Sequence, residues 1–157
     1  MGSSVYLETT IISYLAALPS RDLVVAAHQE VTREWWRARR QEFEIFVSEL
    51  VVQEVGVGDP EAITRRKDFL KGIPSLDLTQ EVRRLARRLV EARAVSFAAR
   101  ADALHIAVAT VHGIDYLMTW NCRQIANAES RSRIMRTSHL LGYVAPILCT
   151  PEELMGE

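Results

Sequence analysis

Cysteine is scarce in this chain: 157 residues contain only Cys122 and Cys149, which lack the paired spacing of a zinc site. That excludes a disulfide framework and suits a reducing compartment, so a cytoplasmic address is expected. Long apolar runs are lacking as well; none approaches the roughly 20 residues that span a bilayer. Met1-Gly2-Ser3-Ser4 holds no basic stretch ahead of an apolar core, which predicts neither a signal peptide nor a membrane helix. Charge of one sign is not in excess, because nineteen basic and twenty acidic side chains leave a formal net charge of −1. Only local patches can therefore bias the choice of partner. No Gly-rich phosphate loop appears and no Asp-x-Asp follows the first apolar run, which leaves a phosphatase without support. Linkers rich in Pro, Gly or Ser are missing too, and residues 1–157 are expected to form a single domain.

What is present is an alternation. Short runs rich in β-branched or aromatic residues at 4–7, 44–47, 75–78, 115–118 and 146–149 read as strands. Helical spacing fills the gaps. Residues 22–40 place Val24, Val25, His28, Val31 and Trp35 on one stripe, and Asp59-Pro60-Glu61 opens another helix with an N-cap and a first-turn proline. Residues 80–92 turn Val82, Leu85 and Leu89 inward and Arg83, Arg84, Arg87 and Arg88 outward, while 98–111 is apolar enough to be buried. Thr150-Pro151-Glu152-Glu153 has the pattern of a capping box before a short terminal helix. Strands alternating with helices predict an α/β fold with a short, mostly parallel sheet.

Acids stand where such a fold exposes its ligands. Val5-Tyr6-Leu7 runs into Glu8 where a strand becomes a helix, and α/β sheets bind ligands outside the carboxyl ends of their strands. Glu54 lies in the strand-to-helix stretch 46–55 among apolar neighbours, so its carboxylate requires a cavity, a cation or solvent. Asp102 sits in the most apolar helix, where an uncompensated charge costs several kcal/mol or shifts its own ionisation. Thr119-Trp120-Asn121 comes directly after the fourth strand and adds neutral oxygens. Carboxylates converging with hydroxyl and amide oxygens make a hard-oxygen site suited to Mg²⁺ or Mn²⁺.

In the order Val5 through Leu15, Val47-Ser48-Glu49-Leu50 through Glu54, Asp102 through Ala107, and Leu117 through Cys122, the chain resembles the PIN-domain family of metal-dependent nucleases, which includes VapC-like toxins of type II toxin-antitoxin pairs. The resemblance implies a three-layer α/β/α domain that hydrolyses RNA phosphodiester bonds as an endoribonuclease. It assigns Glu8 and Asp102 to direct metal contact, Glu54 to direct or water-mediated contact, and Thr119 and Asn121 to positioning water or phosphate. A homodimer and a cognate antitoxin, which would block the acidic crevice with an inserted segment or a basic side chain, are further implications. Glu8 stands where most of the family has aspartate, and Asn121 where many members have a fourth acid. Those two departures also suit an alternative, a PIN-like binding module with a weakened metal site.

Simpler roles compete at several positions. Glu49, near Glu54, is a surface or substitute acid; Asp115 is a structural turn acid; Thr119 and Asn121 also suit turn caps. His105, three residues after Asp102, reads as a satisfied core histidine before it reads as a ligand, and both cysteines as small buried side chains. The arginine stripe reads first as a solvated face. Arg123 is better placed to grip a substrate phosphate, two residues past the Thr119–Asn121 turn. Of Trp35 and Trp36, one ring is expected in the core and the other at a partner surface.

Overall fold

Val5, Tyr6 and Leu7 are all fully buried, as a strand covered on both faces by helices requires. In the computed structural model, which describes residues 2–121, 125 and 127–156, that strand is the centre of the sheet. The strands are β1 (Ser4–Leu7), β2 (Glu44–Ser48), β3 (Ser75–Leu76), β4 (Tyr116–Met118) and β5 (Ile147–Cys149). The helices are α1 (Thr9–Ala16), α2 (Leu23–Ala38), α3 (Glu49–Val55), α4 (Pro60–Leu70), α5 (Gln80–Glu91), α6 (Arg100–Val111) and α7 (Ala128–Leu140). All pairings are parallel, in the order β3-β2-β1-β4-β5.

That order fixes the layers. The chain steps outward from β1 to β3, then crosses β1 to continue through β4 and β5. Because parallel crossovers are right-handed, the reversal puts α1–α4 on one face of the sheet and α5–α7 on the other. Contacts agree: α1 packs on α2, α3 and α4, and α5 on α6 and α7. The result is the three-layer α/β/α arrangement, with the sheet entirely rather than mostly parallel. The strand order reverses between β1 and β4, and the crevice for ligands in such a sheet lies at that switch point.

Local chemistry sets most boundaries. Asp22 accepts the N–H groups of Val24 and Val25 to start α2, Asp59 that of Ala62 ahead of Pro60, and Thr79 that of Val82. At the carboxyl end of the described chain the capping box closes half-way: Glu153 accepts the Thr150 N–H at 3.1 Å, but only a 3₁₀ turn, Glu152–Leu154, follows. No helix among the described residues is long and apolar enough to cross a membrane.

The α2 stripe corrects the sequence expectation. Val24 is 65 % exposed, and the buried positions are Gln29, Thr32 and Trp35. The helix is rotated because its inner face meets polar groups: Gln29 accepts the Ser20 N–H and donates to the Leu18 carbonyl, and Thr32 accepts the Trp120 indole N–H at 2.7 Å. The Trp120 ring also stacks on His28 with centroids 4.0 Å apart. Trp35 is in the core as expected, but Trp36 is half-buried, with its edge on Phe69 and the Arg40 guanidinium over its face.

Asp115 has the structural role expected of it. Its Oδ2 accepts the Ser4 N–H at 2.9 Å and the Ser4 hydroxyl, while its own N–H donates to Ser4 Oγ, clipping the entry of β4 to that of β1. Asp115→Ala should therefore lower stability by about 1–2 kcal/mol. Urea unfolding would register this as a lower midpoint at unchanged slope; an unaltered midpoint would refute it.

Candidate metal centre

Leu7 and Met118 are register partners, so Glu8 and Thr119 leave β1 and β4 side by side at the carboxyl edge of the sheet. The Glu8 N–H donates to the Met118 carbonyl at 3.1 Å. Glu8 Oε1 accepts the hydroxyls of Thr10 at 2.5 Å and Thr119 at 2.6 Å. Each hydroxyl in turn accepts a backbone N–H, from Trp120 onto Thr10 and from Asn121 onto Thr119. A backbone N–H can only donate, so both hydroxyls must direct their own protons at Glu8. Although Glu8 occupies the N-cap position of α1, its side chain caps no helix N–H. It is 4 % exposed and turned into the crevice.

Glu54 comes from the last turn of α3, whose start is set by Ser48 Oγ accepting the Val51 N–H. Its Oε1 accepts the Thr9 hydroxyl at 2.5 Å and lies 2.7 Å from His105 Nε2. The fully buried His105 reaches the Tyr6 hydroxyl with Nδ1 at 2.6 Å, and Tyr6 reaches Ser48 Oγ at 2.8 Å. One direction satisfies every member: Ser48 donates to Tyr6, Tyr6 to Nδ1, and Nε2–H to Glu54. Burial, helped by the charges of Glu8 and Glu54 and opposed by the Ser48 hydrogen bond, drives the Tyr6 pKa far upward, so the phenol keeps its proton. Burial also works to raise the pKa of Glu54, but the hydrogen bonds from His105 and Thr9 outweigh it and hold the carboxyl below its ordinary value.

Asp102 lies in the first turn of α6, half-buried, and its carboxylate is hydrogen-bonded by the Asn121 side chain. Its pKa is raised, by burial first and then by the charges of Glu8 and Glu54, with His105 and Asn121 pulling the other way. The three predicted acids therefore face one crevice closely enough to repel one another. The hydrogen bonds that Thr10 and Thr119 give Glu8, and those that Thr9 and His105 give Glu54, all fall on Oε1. Among the described residues no group of three His, Cys, Asp or Glu side chains is placed to hold a metal ion by itself. Carboxylate oxygens beside hydroxyl and amide oxygens fit a small hard cation that keeps several waters and shares its shell with substrate.

Glu8, Glu54, Asp102, Thr119 and Asn121 are thus brought together, from the ends of β1 and β4 and the adjoining helices. Arg123 and Cys122 lie outside the described residues, and Cys149 is buried as expected. Glu49 does not substitute for Glu54; its carboxylate accepts the Leu78 N–H at 3.3 Å. Sequence reasoning missed Thr9, Thr10, Tyr6 and Ser48 as partners of the acids, and gave His105 only half its role. Two signals were available: a Thr-Thr pair directly after Glu8, and a histidine one helical turn after Asp102. A family model described as PIN domain matches residues 5–129. No curated protein matches the chain.

Proposed function

The chain belongs to the PIN-domain family, and on that premise we propose that it is a Mg²⁺- or Mn²⁺-dependent endoribonuclease that cleaves RNA phosphodiester bonds. PIN domains are generally metal-dependent nucleases, which makes hydrolysis of nucleic acid the expected reaction. The observation that carries the reading is geometric: Glu8 at the end of β1, Glu54 in the last turn of α3 and Asp102 in the first turn of α6 converge at the switch point of a parallel sheet.

Glu8 and Asp102 would hold the ion directly, and Glu54, aimed by His105 and Thr9, directly or through water. A divalent ion there supplies positive charge to the phosphoryl oxygens and acidifies the attacking water. Thr119 and Asn121 position water or phosphate, and Arg123, two residues on in sequence, is the cation for a substrate phosphate. A second reading, a binding module with a weakened site, draws on Asn121, which donates a hydrogen bond to Asp102 where a fourth acid would add charge.

Within this reading the protein is a cytoplasmic VapC-like toxin, homodimeric and restrained by an antitoxin that neutralises the crevice. Its resemblance to that branch of the family supports the assignment. The deciding experiment incubates purified protein with a mixed RNA pool in Mg²⁺, Mn²⁺ or EDTA, beside an identically prepared Glu8→Gln variant that controls for contaminating nuclease. Cleavage by the parent in Mg²⁺ or Mn²⁺ alone is expected. Equal cleavage by both proteins, or none with any ion, would favour the binding module.

A further inference from the structure

Between α5 and α6, on the opposite face of the sheet from α1–α4, opens a cavity of about 820 Å³. Val90 and Leu104 contribute to its apolar floor, while Arg83, Arg87, Arg100 and the Phe97 ring stand around it. Phe97 is 69 % exposed, and the Arg100 guanidinium sits 4.5 Å from its ring centroid. The groove carries uncompensated positive charge. Arg83 and Arg87 enter no ion pair among the described residues, and Glu91, the acid at the rim, is already paired with Arg88 at 2.9 Å. Ala101 lines the groove and Asp102 follows it on the first turn of α6, so the same helix end borders the groove and carries one acid of the crevice.

Those features match one chemistry. A single-stranded nucleic acid needs cations for its phosphates and aromatic faces for its unstacked bases, and such proteins combine the two along a groove. Arg83 and Arg87 are one helical turn apart, about 6 Å along the axis. That lets them address successive points on a backbone. We propose that the α5/α6 groove is the track for single-stranded RNA flanking the cleaved bond, with a base on Phe97 and phosphates on Arg83, Arg87 and Arg100. The inference rests on the ribonuclease reading above and adds where its substrate lies.

The test is fluorescence anisotropy of a labelled, mixed-sequence RNA strand of about 12 nucleotides. EDTA prevents turnover, and the parent is compared with Phe97→Ala, Phe97→Tyr and the double Arg83→Ala/Arg87→Ala variant. Phe97→Ala should weaken binding roughly tenfold or more, and Phe97→Tyr should retain it. The double arginine variant should lower the slope of log affinity against log salt by about 1.4, at about 0.7 per phosphate contact. In Mg²⁺ Phe97→Ala and the double arginine variant should raise KM for RNA more than they lower kcat. Parent-like binding by all variants, with the parent still cleaving RNA, would overturn the track while sparing the ribonuclease reading. So would unchanged RNA affinity together with altered elution on gel filtration, which would make the groove an interface between copies. A parent that neither binds nor cleaves RNA would remove both.

Discussion

Asp102→Asn should abolish metal-dependent RNA cleavage and, without metal, make the protein more stable. A ligand that helps stabilise the charge of the transition state is worth several kcal/mol, so cleavage should fall by roughly a hundredfold or more. The gain in stability has the opposite sign because the same carboxylate is held against its inclination. Its folded pKa lies above the unfolded value of about 3.9, because of burial and the charges of Glu8 and Glu54. Between those two values the native state binds more protons than the unfolded state, so stability falls as pH rises through the window. An asparagine of the same shape can still accept the Asn121 hydrogen bond and carries no charge to repel. The metal-free melting temperature of the variant should exceed the parent's near neutral pH, by about 2–4 °C per kcal/mol relieved. Added Mg²⁺ should raise the parent's melting temperature and leave the variant's unmoved. A variant that melts below the parent without metal, or cleaves at the parent's rate, would contradict this account. Glu54 runs the other way: its pKa is depressed, so its contribution is complete above the unfolded glutamate value and is lost as pH falls through the folded one.

His105→Ala is expected to cost about 3–5 kcal/mol of stability, the largest loss of any single change considered. The imidazole is fully buried and bonds both the Tyr6 hydroxyl and Glu54, so its removal leaves a cavity and a buried phenol without an acceptor. Because Tyr6 and His105 share one network, Tyr6→Phe combined with His105→Ala should cost less than the sum of the single changes. Chemical denaturation of the four proteins measures that difference; strict additivity would mean the two side chains do not act together. Activity separates packing from aiming. His105→Gln fills much of the volume and can donate to Glu54, so in Mg²⁺ it should recover more cleavage than His105→Ala.

The sheet and its acids were legible because they rest on short-range rules. Val5-Tyr6-Leu7 is apolar at successive positions, which only a doubly covered strand explains, and the residue that follows must then emerge at the carboxyl edge. Asp102 announced itself by contrast with the alanines and aliphatics around it. The partners of these acids were not legible, because hydroxyl groups after a strand read equally as helix caps. Thr10 and Thr119 look like local punctuation until the β1–β4 register brings them onto one oxygen of Glu8. The α2 face failed for a related reason. Periodicity assumes an apolar neighbour, whereas Gln29 and Thr32 are buried against loop backbone and the Trp120 indole.

The bond between Thr119 and Glu8 spans 111 positions of sequence. During synthesis the first acid is therefore made long before the strand that completes its surroundings, and β1 has only one of its two sheet neighbours until β4 emerges. A nascent chain carrying Glu8, Glu54 and even Asp102 lacks the hydroxyl from Thr119 and the amide from Asn121 that fix two of those carboxylates. The crevice is assembled late: its two flanking strands meet only once the ribosome has added the 111 positions that separate Glu8 from Thr119.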